Sequence, residues 1–594
     1  MPYSQSWLEN PSAMRVILVV ATVYDIVASQ DINLYLSTGG YVTTDGAATF
    51  LPIIANKLTL TESLSKDGGS VGMTFGDIEV HNLNGEMDPY LDSTRYIWSN
   101  KSIKIYYGDP GWTSTLSNLS TEFLTIFDGI VDDADSRNLR SFNLKLRDKL
   151  ERLNAPISEN KLGVYATSSW GTAGQKNQDQ MRPIIFGEVF NVTPLLIDPI
   201  TQEYMVTTGS ATQLTGLTGE GDICERIIEI RDNGIPIYGI VGAPSIIKGA
   251  SYKILTVGTT NWTAIGASSN TVGVSFKATG NSSGTGTATI VDTIATSGVV
   301  SSTPVVDPTN TGTFKLKAPP AGVITASVQG VKKSTDLTTG AAQTTYVNTV
   351  ANIIATIVTQ FGKTSTRLGA SDVDWTNFNS FNTANNTQEV GLYLDTQENV
   401  LIACQQLASS IGSQIVMSRT GKLQIYKFGT TSQSVFTEVG PDDIIFNSLS
   451  ISNRYTAQAG VKLAFAKNYT VQANLLTAIP NNNKDNLSTE WLTVTAVDGT
   501  VKTNYKLDSD PLQKETLFIS DTDATTEAGR LLTYYKSVRM VYRFTGKSKL
   551  LGLNLGSTIK LTYPRFDLGI SKFGQVISLT PDWLSGTVEV EVIV

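Results

Sequence analysis

Phe127-Asp128-Gly129-Ile130-Val131, a polar stretch from Asp132 to Asn138, and then Ser141 to Leu146 with Phe142, Leu144 and Leu146 in strict alternation form a hairpin pattern with one buried face. The theme returns far along the chain, where Phe573-Gly574-Gln575-Val576 and a second polar stretch lead into the alternating run Thr587 to Val594. Two β domains of similar build near opposite ends of one chain would give three copies of that chain six similar units. A trimer could then mate with a hexamer.

Around the first hairpin, runs at Lys57 to Leu60, Asp77 to Val80 and Lys101 to Tyr107 are parted by Gly, Asn, Asp and Pro clusters, so residues 1–155 read as one β domain. A connecting region follows over 156–311, in which Asp222 to Arg231 carries helical spacing at Ile223, Ile227 and Ile230. At about 249–291 the composition turns to Gly, Ser, Thr and Ala with alternating strands, which predicts a small inserted β module; a low-complexity linker runs on to Thr311.

Residues 312–440 read as an α+β domain. Val347, Val350, Ala351, Ile354, Ile357, Val358 and Phe361 share one helix face that Gly362 ends. A second helix, capped by Thr396, carries Val400, Ala403, Cys404, Leu407, Ala408 and Ile411 up to Gly412, and a hairpin follows from Gln414 to Phe428. Residues 441–594 form a second β domain, interrupted by a helix from about Thr522 to Lys536. The fold class is mainly β with α+β parts, in several domains, as 594 residues at the usual ~100 to 200 per domain require.

Charged residues are 16% of the chain against a usual ~25%, and the net charge of -8 comes from 45 basic and 53 acidic residues without long runs. Such a surface offers nothing that grips phosphates, which disfavours a sequence-reading nucleic-acid binder. With Cys224, Cys404 and the single His81, neither a disulfide framework nor a histidine-rich metal site is expected. The apolar run Val16 to Tyr24 ends at Asp25 behind one cation, Arg15, and reads as a strand rather than a signal peptide. No stretch reaches 18 apolar residues, so no membrane span is expected.

Several constellations invite a chemical reading. Gly280-Asn281-Ser282-Ser283-Gly284 matches the nucleophile-elbow string, but a strand rather than a helix follows and His81 lies in another domain, so it reads as a turn. Asp521, Asp523 and Glu527 lack the glycine and the distal glutamate of a calcium loop; they suit the first turn of a helix. Asp132, Asp133 and Asp135 read as a hairpin turn. Glu86, Asp88 and Asp92 could supply a glycosidase acid and base, yet they sit in Asn-Gly-Pro turn chemistry. Trp262 and Tyr252 could stack on sugar rings, against the alternative of a buried anchor for the small module. Lys332-Lys333 and the group Arg147, Lys149 and Arg152 are short basic patches that read as solvated faces. No catalytic, cofactor-binding or metal-binding residue is assigned.

Four ordered stretches carry a family resemblance. They are Gly76-Asp77-Ile78-Glu79-Val80-His81-Asn82 with Gly85 and Asp88; Phe127-Asp128-Gly129 through Leu146-Arg147-Asp148; Arg182-Pro183-Ile184-Ile185-Phe186-Gly187 with Asn191-Val192-Thr193-Pro194; and Gly312-Thr313-Phe314-Lys315-Leu316 with Pro319-Pro320-Ala321-Gly322-Val323-Ile324-Thr325-Ala326. Ala528, Leu531, Leu532 and Leu553-Asn554-Leu555-Gly556 add to them. Together they resemble the tail-tip or baseplate hub proteins of tailed bacteriophages and gene transfer agents.

The resemblance implies two tube-like β-barrel domains, at 1–155 and 441–594, and a homotrimer at the distal end of a phage tail that adapts to the hexameric tail tube and forms a channel for DNA in transit. Its implied partners are the tail tube or distal tail protein, the tape measure protein, and tail fibre or tip proteins. It also implies a virion location after assembly in the host cytoplasm, no cofactor and no enzymatic activity. The rival expectations are a host-surface adhesin built on the inserted module and a wall-degrading enzyme using Glu86 and Asp88.

Overall fold

The computed structural model describes residues 4–10, 12–55, 58, 60–64, 75–159, 161, 180–198, 202–208, 224–246, 248, 251–280, 282–292, 305–306, 312–316, 319–429, 431–473, 475, 479, 481–507 and 510–594. The N-terminal unit is built from β1 (Val16–Asp25), β2 (Gln30–Ser37), β3 (Leu60–Ser63), β4 (Phe75–His81), β5 (Lys101–Gly108), β6 (Leu124–Asn138) and β7 (Ser141–Arg147). The hairpin expected from Phe127 onward is β6 with β7. Phe142, Leu144 and Leu146 point into a core shared with Ile78, Val80, Ile103 and Ile105, the inward side of a period-two pattern.

The middle of the chain supplies β8 (Ile184–Val192), β9 (Cys224–Asp232), β10 (Ile235–Gly242), β11 (Ser251–Thr256), β12 (Ser275–Lys277), β13 (Thr287–Asp292), β14 (Ile324–Val331) and β15 (Gly391–Leu394). They form one sheet in the order β12-β11-β13-β10-β9-β14-β8-β15. It spans the boundary read at 311/312, and the inserted module is its outer end, joined through β13 and β10. The predicted linker lies outside the described residues apart from Val305–Val306.

Of the segment expected as a helix, Asp222 and Ile223 lie outside the described residues, and Cys224 to Arg231 is strand. It is β9, and Ile227 and Ile230 face the core because a bulge between Ile227 and Glu229 shifts the register against β14. An extra residue in a strand turns a spacing of two into one of three, which imitates helical periodicity.

The α+β part contains α1 (Val350–Gln360), α2 (Trp375–Asn385) and α3 (Val400–Ser410), followed by the hairpin β16 (Ser413–Met417) and β17 (Leu423–Lys427). Ile353, Ile354 and Ile357 of α1 are fully buried, each contributing roughly 1.5–3 kcal/mol of burial. Gly362 takes the left-handed conformation after this helix, at φ 77°. Asn399, not Thr396, precedes the first turn of α3.

The C-terminal unit comprises β18 (Ser450–Tyr455), β19 (Arg539–Gly546), β20 (Thr558–Leu561), β21 (Lys572–Asp582) and β22 (Thr587–Ile593), with α4 (Asp521–Tyr535) before β19. Its Val588, Val590 and Val592 enter the same core as the N-terminal unit. Both units belong to one 16-stranded sheet.

The two units repeat one topology. Strands that follow one another as β3, β4, β5, β6 and β7 lie in the order β3-β4-β7-β6-β5, and strands β18 to β22 lie as β18-β19-β22-β21-β20, with every neighbouring pair antiparallel. Registers match as well: Ile103 faces Gly129 across β5 and β6, and Ile559 faces Gly574 across β20 and β21. Aligned on these pairs, Ser102-Ile103-Lys104-Ile105 corresponds to Thr558-Ile559-Lys560-Leu561, and Tyr107 to Tyr563.

Candidate assembly interface

The seam between the two units is a strand junction. The ladder of β20 on β21 stops at Gln575, and a bulge at Ile577 breaks the register of β21 against β22. The second half of β21 is thereby left with an open edge. Strand β3 fills it: Ser63 lies opposite Ser578, Glu62 opposite Leu579, and the Leu64 amide donates to the Ile577 carbonyl at 2.7 Å.

Arg419 clasps this seam from the turn of the β16–β17 hairpin. Its guanidinium donates to the carbonyls of Leu551 at 3.1 Å and Leu553 at 2.5 Å, and to Asn554 Oδ1 at 3.2 Å. It lies 5.4 Å from the ring of buried Trp583, which also meets the ring of Tyr107 of β5 at 5.1 Å. The Arg419 carbonyl accepts from the Asp128 amide at 2.8 Å. One residue of the α+β domain therefore touches both β units.

Glu62 completes the clasp. It is fully buried, and Oε1 stands 3.3 Å from Arg419 Nε without hydrogen-bond geometry. Burial pushes its carboxyl up to about 7, against the opposing pull of Arg419; desolvation of the charged form outweighs the attraction. Lys149 sits between Asp128 at 3.2 Å and Asp372 at 2.9 Å. Gly421 closes the hairpin turn at φ 69°, where a Cβ would meet the Asp128 carbonyl at 2.6 Å.

A second buried charge cluster fixes α4 to the same hairpin. Glu527 receives Lys427 at 3.2 Å and Arg530 at 2.6 Å. Lys427 also donates to Asn385 Oδ1 and Gln388 Oε1, at 2.8 and 3.0 Å. Burial lowers the Lys427 ammonium from its ordinary range while Glu527 pulls it back.

The residues singled out for chemistry occupy separate places in the fold. Ser282 and Ser283 lie in irregular chain before a bend at Gly284–Thr285 that leads into β13, and Gly284 packs on Thr260; Asn281 lies outside the described residues. His81 ends β4. Asp521 and Asp523 begin α4 behind the Ser520 cap, with the Asp523 amide donating to Ser520 Oγ at 3.1 Å. Asp88 accepts from Asn82 at 2.7 Å, and Asp92 is held below its ordinary range by hydrogen bonds from Thr94.

Trp262 corrects the sugar-stacking idea. It is wholly buried against Phe276 and donates to the Val257 carbonyl at 3.3 Å, and Tyr252 is buried too, so neither presents a face to a ligand. The basic patches are neutralised: Arg147 meets Asp132 and Glu151, Arg152 meets Asp372, and Lys332 meets Glu225. Cys224 and Cys404 are buried and not joined in a disulfide. Among the described residues no cluster of His, Cys, Asp and Glu could hold a metal, and no helix is long and apolar enough to cross a membrane. Reading the sequence missed Glu62, Arg419 and Trp583, which only the folded chain brings together.

No protein-family model and no curated protein matches the chain. Among its structural neighbours are tail proteins and a virion chain. The 43 kDa tail protein of prophage MuSo2 from Shewanella oneidensis aligns at 10% identity and TM-score 0.33 over 98% of both chains. A tail protein from Neisseria meningitidis MC58 aligns at 8% identity and TM-score 0.31, over 97% of this chain and 96% of that one. A chain from the virion of a native gene transfer agent particle aligns at 10% and 0.36, covering 74% of this chain and 91% of its own.

Proposed function

We propose that this chain is a non-enzymatic structural hub at the distal end of a phage tail, a homotrimer whose six β units meet the hexameric tail tube and surround a channel for DNA. The observation that carries this is the internal duplication: two units with one strand order, one register and a shared Ser/Thr-Ile-Lys-Ile/Leu strand, fused through β21 and β3. A chain with two equivalent units presents sixfold-like contacts with threefold stoichiometry. The weakly charged acidic composition suits a passage that must release phosphates.

The neighbours in this reading are the tail tube or distal tail protein on one side, tail fibre or tip proteins on the other, and the tape measure protein within. Assembly takes place in the host cytoplasm and the protein ends in the virion. Labelling the chain in assembled particles tests the location. Label at the tail's far end is expected, and label distributed along the tube or absent from particles would overturn the proposal.

A further inference from the structure

We infer that the junction joining the two units within one chain is repeated between chains, β18 of one copy adding to the projecting half of β6 in the next. The inference rests on the trimeric reading above and locates its interface. In the repeat, β3 and β18 are the equivalent first strands, and β6 and β21 the equivalent fourth strands. The internal junction consumes one of each, β3 and the second half of β21. One first strand and one fourth strand are left over.

Both remaining edges are open among the described residues. Strand β18 ends the sheet, and Ser450 to Arg454 are exposed along it. The ladder of β5 on β6 stops at Val131, as that of β20 on β21 stops at Gln575. Strand β6 then carries a bulge at Asp132 where β21 carries one at Ile577. Unpaired edges of this kind attract a further strand, and a ring removes them.

The register transfers residue by residue. Val131 and Val576 pair with Leu146 and Val592, which face Gly76 and Tyr542; these in turn face Leu60 and Ile451. Through the β18 bulge, Glu62 then corresponds to Arg454 and Ser63 to Tyr455, while Ser578 and Leu579 correspond to Asp133 and Ala134. The pairing between copies therefore sets Tyr455 opposite Asp133 and Arg454 opposite Ala134.

Charge favours a second copy as the occupant. Among the described residues, Asp132, Asp133 and Asp135 form ion pairs with two cations of β7, Arg147 and Lys145, and Arg137 adds a weaker attraction at Asp135. Arg454 makes no ion pair among the described residues and would arrive beside them. Because the contact is head-to-tail, it must either close into a ring or run on as a filament; the trimer is the closed solution.

The test is a full-length Ala134→Cys/Arg454→Cys double variant, oxidised and run without reductant beside both single variants and the unaltered chain, with native mass spectrometry on every sample. Directly opposed residues of an antiparallel pair lie about 4.5–5.5 Å apart at Cα, within disulfide reach. Covalently joined trimers in the double variant alone are expected. An intact trimer without the cross-link would overturn this interface and leave the trimeric reading standing. Monomers in every sample, the unaltered chain included, would overturn both.

Discussion

Gly129 and Gly574 hold the same station in the two units: each faces an isoleucine on one side, and a Cβ at either would strike the carbonyl of the strand on the other, Arg147 O at 2.5 Å and Ile593 O at 2.9 Å. Side chains crowd the same space, Phe127 at Gly129 and Val592 and Val594 at Gly574, so relief requires both a side chain and a strand to shift. Gly129→Ala and Gly574→Ala should each cost about 1–3 kcal/mol in denaturant unfolding. A loss at one position and none at the other would argue against their equivalence.

Glu62 makes the seam respond to pH. Its folded-state value of about 7 lies above the ordinary 4.5, so the folded form binds the proton more tightly. Stability from this group is fully present below about 4.5 and is lost as pH rises through 7, on the order of 3 kcal/mol in all. The difference in unfolding free energy between the native chain and Glu62→Gln should therefore change between pH 5 and pH 8, with the variant gaining ground at high pH. Parallel profiles would show that Glu62 is not held in this environment.

Arg419 is the partner that makes burial of Glu62 tolerable. Arg419→Ala strips three acceptors and leaves a carboxyl without its counter-charge, a loss of about 3–5 kcal/mol. Adding Glu62→Gln should recover part of it. The double-mutant cycle in urea measures this coupling, and simple additivity would deny it.

Trp262 anchors the inserted module through its own small core of Tyr252, Ile254, Ile265, Phe276 and Ala288. Trp262→Ala should cost about 3–5 kcal/mol locally, seen as faster proteolysis within 251–292, while the oligomeric state stays unchanged. Unaltered protease resistance would contradict the anchor role.

Much of this architecture is legible in the sequence where a single element decides its own burial. The Phe142, Leu144 and Leu146 alternation gives β7, and the apolar spacing from Val350 to Val358 gives α1, because each buries one face at one period. Helix α2 escapes such reading: its Asn, Thr and Ser residues favour no helix, and the Asp374 cap with buried Phe378 and Phe381 holds it. The bulge in β9 gives that strand a helix-like apolar spacing. The Ser102 and Thr558 strands do carry a visible repeat, yet four residues stand out only once their partners Gly129 and Gly574 are aligned. The Glu62–Arg419 clasp unites segments far apart in the chain and leaves no local pattern at all.

The duplicated units acquire their meaning only if three chains close a ring. Electron-microscope images of the purified assembly, with its mass measured in parallel, test this most directly. The account predicts three copies per particle and a ring whose low-resolution rotational spectrum is dominated by a sixfold component. A monomer, or a ring of three copies without sixfold signal, would contradict it.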